Sequence, residues 1–208
     1  MRTDKASTLI LAPHVDDEVL GCFSFLNSSS HVLYGGVEER PDIPRKTRIE
    51  ELELASSRLG FSWTMLDNPV NEYKTSSLIG PMEKHIDLHQ PATVLIPEPS
   101  YNQDHRAFYD AALVATRPHD THQLVPEVLI YEQPHSVIWA HTQQPAPNVF
   151  VPVNINDKLD AYQCYASQIR GHRSPETVSA LAALRGAQIM VPHAEAFYAR
   201  RIVRHQAT

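Results

Sequence analysis

Five short apolar runs punctuate the chain, at Thr8 to Ala12, His31 to Tyr34, Thr93 to Pro97, Val128 to Tyr131 and Val149 to Val153. Runs of this length, rich in branched residues, read as strands. Helical periodicity fills several of the gaps. Arg45 to Leu59 places Ile49, Leu52, Ala55 and Leu59 on one face, with Gly60 as its stop. A second helix follows Asp104, where Phe108, Ala111, Ala112 and Ala115 recur at helical spacing. Two more are predicted at Asp157 to Gln168 and at Pro175 to Arg185, the latter with Ser174 as N-cap, Pro at the first helical position and Gly186 as stop. Strands alternating with helices imply an α/β fold, a Rossmann-like three-layer sandwich with a largely parallel central sheet. The stretch Thr142 to Pro147 reads as a loop, and no composition shift marks a boundary, so 1–208 is expected to form one domain.

The first run leads into LAPHVDDEVLG, Leu11 to Gly21, which packs a His and three acids into five residues. Adjacent carboxylates repel, so a positive partner is expected among them. If residues 8–12 form the first strand, His14, Asp16 and Asp17 lie in the loop past its carboxyl end, where open α/β sheets bind ligands. A second cluster repeats the form: an apolar run ending at Pro97, a polar loop, then Asp104 and His105 at a helix start. Two strand ends can converge, and His14, Asp17 and His105 would then supply two imidazoles and one carboxylate, a set that suits zinc and leaves a position open. Asp16 is left over beside it, as a general base should be. The plainer alternative is that the Asp pair and Asp104 are helix N-caps.

Composition narrows the function classes. At 42% hydrophobic and 20% charged the chain is ordinary for a globular protein, and its net charge of −6 argues against broad binding to nucleic acid. Met1 to Ser7 is polar and no stretch approaches about 20 apolar residues, so neither a signal peptide nor a membrane span is expected, and the cytoplasm is the default location. Cys22 and Cys164 form no C-x-x-C pair, which leaves His and carboxylate as the metal ligands.

The motifs resemble those of the PIG-L, or LmbE-like, family of zinc-dependent N-deacetylases, whose first motif is (A/P)-H-P-D-D-E and whose second is (H/N)-x-D-H. Here they stand as APHVDDE and NQDH. RIEELELASSRLG, DKLDAYQCYASQ and HAEAF are similar to later family patterns, so the resemblance runs through nearly the whole chain. It implies one zinc per chain held by His14, Asp17 and His105, Asp16 as catalytic base, and Asp104 orienting a His. It also implies hydrolysis of an acetamide on an N-acetylated sugar or nucleotide-sugar. Val15 replaces the usual Pro, and Asn102 stands where many members have a His. The oxyanion or leaving-group donor is therefore Asn102 or another residue, with His172 and His193 as candidates that read equally well as loop residues. Arg48, Arg117 and Arg173 are candidates for a substrate phosphate, or are surface ion-pairing residues. A hydratase on the same fold and a non-catalytic zinc- or sugar-binding module are the alternatives, and homo-oligomerisation stays open.

Overall fold

The computed structural model describes residues 6–139 and 146–204. In chain order the elements are β1 (Thr8–Ala12), α1 (Asp17–Cys22), β2 (Ser30–Tyr34), α2 (Arg45–Leu59), β3 (Ser62–Met65), α3 (Thr75–His89), β4 (Thr93–Pro97), α4 (Gln103–Ala115), β5 (Glu127–Tyr131), α5 (Pro134–Ile138), β6 (Val149–Pro152), α6 (Ile155–Tyr162), α7 (Pro175–Ala187) and β7 (Ala194–Ile202). The strands form one sheet in the order β3-β2-β1-β4-β5-β7-β6. Its first five strands are parallel, and β7 runs antiparallel to both β5 and β6.

Alternation along β1 explains the three layers. Ile10 and Ala12 face a core with α1, α2 and α6, through Val19, Leu52 and Tyr162, while Leu9 and Leu11 face a core with α3 and α4, through Met82, Ile86 and Phe108. A strand covered on both faces has no polar alternation, which is why β1 reads as a continuous apolar run. The α/β sandwich with a largely parallel sheet is therefore present as expected.

Several predicted details change. β2 begins at Ser30, β5 at Glu127, and β6 ends at Pro152. The helix expected over Asp157 to Gln168 is α6 only as far as Tyr162, followed by a 3-10 stretch, Gln163–Gln168, in which Tyr165 leaves helical geometry. Gly186 does not stop α7 but lies inside it. A Cβ there would come within 2.6 Å of the Val191 carbonyl oxygen, so this glycine admits the chain that returns toward β7. Asp104 is not the cap of α4: the Asn102 side-chain carbonyl accepts from Asp104 N at 2.8 Å. Of the loop expected at Thr142 to Pro147, residues 142–145 lie outside the described residues, and 146 and 147 carry no regular structure. Most of Met1 to Ser7 likewise lies outside them. Among the described residues no helix is long and apolar enough to cross a membrane.

Candidate active site

β1 connects onward to β2 on one side while β4 lies on its other side, so the crevice between the carboxyl ends of β1 and β4 is a topological switch point. The chain leaving β1 turns at Asp16, whose φ of 105° lies in the left-handed region that Asp tolerates better than most residues. That turn separates the two neighbouring carboxylates. Asp17 opens α1 rather than lying in the loop, and its Oδ2 accepts from His14 N at 2.9 Å. Around the turn, Arg48 donates to the Val15 carbonyl and Tyr73 donates to the Pro13 carbonyl at 2.9 Å, so α2 and the segment before α3 fix the loop from outside.

His14, Asp17 and His105 each present a ligand atom, all within 4.8 Å of one another. His14 Nε2 is engaged by Asp104 Oδ2 at 3.0 Å, which leaves Nδ1 facing Asp17 at 3.6 Å. Asp104 is itself held by the backbone N–H groups of Asn71 and Tyr73, at 2.6 and 3.3 Å, and so fixes the His14 ring. His105 Nε2 lies 3.4 Å from Asp17 Oδ2. Both His105 ring nitrogens and Asp17 Oδ1 are buried with no hydrogen-bond partner among the described residues. Buried polar atoms are seldom left unsatisfied, and the unpartnered His105 imidazole and Asp17 oxygen, with His14 Nδ1 facing them, form a donor set that fits a divalent metal of the zinc type.

The electrostatics follow from burial and close packing. Burial opposes charge on His14, but Asp104 and Asp17 outweigh it and push it up to about 9. Burial pushes His105 down to about 4 despite Asp17. Asp17 resists burial through His105 and His14, which hold it well below the usual carboxylate range. Asp16 moves the other way: burial raises it, Arg173 and Arg48 oppose, and the like charge of Asp17 adds to the rise. Its Oδ2 accepts from Arg173 at 3.1 Å, and its Oδ1 is free of partners among the described residues.

The other predicted residues divide into two groups. Asn102, His172, Arg48 and Arg173 border one polar cleft of about 190 Å³ together with His14 and Asp16. Arg48 is 2% exposed and is occupied by Val15, Glu51 and Ser167, so it holds the loop as well as bordering the cleft. The structure does not bring Arg117 to the cleft: it pairs with Glu83 and the Val114 carbonyl on the surface where α3 meets α4. Nor does His193 border it; its backbone packs against Gly186 and its carbonyl accepts from Val153. Sequence reasoning missed Arg170, which lines the cleft, and His135, whose ring meets His105 edge-on at 4.8 Å. His135 follows the end of β5, so the same strand-end rule that found His14 and His105 applied to it as well.

No protein-family model matches the chain, and no curated protein matches it in sequence. Solved structures do. A conserved protein of Thermus thermophilus superposes with a TM-score of 0.77 at 21% identity over 97% of each chain. The 4-carboxy-2-hydroxymuconate hydratase GalB of Pseudomonas putida gives 0.74 at 20% identity, over 97% of this chain and all of its own. The N,N'-diacetylchitobiose deacetylase of Pyrococcus horikoshii gives 0.74 at 18% identity, over 95% of this chain and 84% of its own. Deacetylases of the teicoplanin pathway match as well. The chain thus has the fold of the PIG-L/LmbE-like deacetylases, the family its motifs resemble.

Proposed function

We propose that this chain is a zinc-dependent N-deacetylase, folded as one domain, that removes an acetyl group from an N-acetylated amino sugar or sugar conjugate. The observation that carries the reading is the convergence of His14, Asp17 and His105 beside a spare buried carboxylate, Asp16. A closed structural site would need a fourth protein ligand and no spare base, which disfavours a non-catalytic module. The one zinc, when bound by these three residues, would polarise the acetamide carbonyl and make water acidic enough to attack near neutral pH. Asp16 takes the proton of that water and returns it to the departing amine; its carboxyl, raised by burial, is suited to both transfers. Asp104 keeps the His14 ring in one orientation. Asn102 spends its carbonyl on capping α4, so its amide N–H₂ is the group it has left for the oxyanion, and His172 on the cleft wall is the alternative donor. Arg48, Arg170 and Arg173 border the cleft and favour a substrate with an anionic group such as a nucleotide-sugar phosphate. We place the enzyme in the cytoplasm, acting on a small molecule.

The GalB match supports a second reading, hydration of an unsaturated acid at the same residues. A panel of N-acetylated sugars and sugar conjugates, assayed for new primary amine and for acetate, tests the first. Stoichiometric amine and acetate support it. No amine from any acetamide, with hydration of an unsaturated acid instead, replaces it with the second.

A further inference from the structure

Beside the polar cleft, and sharing Tyr101 and His172 with it, lies a groove of about 260 Å³ completed by His135, Ile138 and Trp139. None of these five lining residues is Asp, Glu, Lys or Arg, whereas the adjoining cleft carries three arginines. A further apolar hollow of about 230 Å³ shares Ile138 and extends over Leu181 and Leu184 of α7. Trp139 is 72% exposed, Ile138 57%, Leu184 54% and Tyr101 46%. Isolated exposed apolar residues need no explanation, but four large ones strung along connected hollows do.

We propose that this trough is a subsite for an apolar aglycone, alkyl or aryl, carried by the sugar whose acetamide reaches the metal site; the inference rests on the function proposed above. Continuity with the catalytic cleft is the first support. Tyr101 meets His135 edge-on at 5.6 Å, and His135 meets His105 edge-on at 4.8 Å, so the groove begins one ring away from a proposed metal ligand. A substrate held at that ligand would have its substituent directed along Tyr101 and Trp139. Chemistry is the second. The arginine-lined cleft and the uncharged trough together match a molecule with one polar and one apolar end, and aromatic rings supply large contact area at low entropic cost. Size is the third. A stable contact with a second copy needs about 800 Å² per partner, more than four side chains along a trough offer, whereas an alkyl chain or an aryl ring fits.

Methyl and octyl glycosides of N-acetylglucosamine, assayed for amine release below the micelle-forming range, provide the test. In the parent the octyl glycoside should have a KM at least about tenfold lower than the methyl at similar kcat, since burying two methylenes already gives a factor of that order. Trp139→Ala should remove most of this preference while leaving kcat on the methyl glycoside unchanged; Trp139 is exposed, so folding is not at stake. Octyl glucoside, which has no acetamide, should also shift the fluorescence of Trp63→Phe, whose only tryptophan is Trp139. Equal KM for the two glycosides with no fluorescence response would overturn the subsite while leaving deacetylation standing. A Trp139-dependent response without amine from any acetamide would keep the apolar site and overturn the deacetylase reading. A dimer in sedimentation with Trp139 shielded from an added quencher would show the trough to be an interface and overturn the proposal.

Discussion

Replacing Asp16 by Asn exchanges one carboxylate oxygen for an amide nitrogen at nearly constant volume, and the structure shows why it should spare everything except proton transfer. Asn tolerates the φ of 105° as well as Asp does. The remaining carbonyl oxygen can still accept from Arg173, at the 3.1 Å now seen, so a charge-assisted bond between two ions becomes a weaker one. Arg173 stays charged, and the variant also drops the burial penalty on a carboxylate whose charged form the fold already disfavours, so stability should change by no more than about 1 kcal/mol. His14, Asp17 and His105 are untouched, so zinc should be retained at about one per chain. Loss of a positioned base typically costs about 10²–10⁴ in rate, equivalent to about 3–5 kcal/mol in the barrier. The assay is metal content by elemental analysis beside kcat at saturating zinc and a melting curve. A variant that kept its zinc but lost less than tenfold in kcat would refute Asp16 as the base. A variant that lost its zinc would mean that Asp16 and Asp17 had been assigned the wrong way round.

Asp17→Asn substitutes a neutral ligand for an anionic one, so zinc should bind more weakly and activity should partly return in excess metal, as followed by a zinc titration of kcat. Gly35→Ala places a Cβ within 2.6–2.9 Å of Tyr73, Phe108 and the Pro13 carbonyl, directly beneath the loop, and should cost about 1–3 kcal/mol in a denaturation midpoint, with reduced activity. His31 stacks on His89 at 4.3 Å and lies 5.8 Å from His85; burial, then the two neighbouring imidazoles, lower it to about 3. The unfolded chain, with His near 6.5, binds this proton more readily, so the stability associated with neutral His31 is complete above pH 6.5 and is lost as pH falls from there toward 3. The melting temperature should fall between pH 7 and 4.5, less steeply in His31→Gln; identical slopes would show that His31 does not contribute.

The site was legible because its chemistry sits where strands end. β1 and β4 are covered on both faces and α2 carries Ile49, Leu52, Ala55 and Leu59 at helical spacing before Gly60, so their bounds follow from side-chain spacing, and His14 and Asp104 then fall at adjacent strand ends. β3 was missed because Ser62–Met65 alternates polar and apolar residues over only four positions, and an edge strand that short, following closely on α2, leaves no distinct run in the sequence. α3 was hidden by Pro81 in its interior and by histidines where polar surface residues were expected. Gly186 misled because close approach of backbone and helix termination call for the same residue. Arg117 and Arg173 look alike in sequence, yet only the fold sends one to Glu83 and the other to Asp16. The sequence suggests Asn102 only as a candidate oxyanion donor and places the cap at Asp104, two residues too late; the bond from Asp104 N to the Asn102 side chain shows Asn102 to be the cap.

His14, Asp17 and His105 are proposed to hold one zinc. Diffraction at the zinc absorption edge from crystals of the metal-loaded protein tests it most directly. A single strong anomalous peak bounded by His14 Nδ1, Asp17 and His105 Nε2, absent from His105→Ala crystals grown in the same zinc, is the predicted result. A fully loaded protein whose only anomalous peak lies elsewhere, or a peak at this place that survives in His105→Ala, would contradict it.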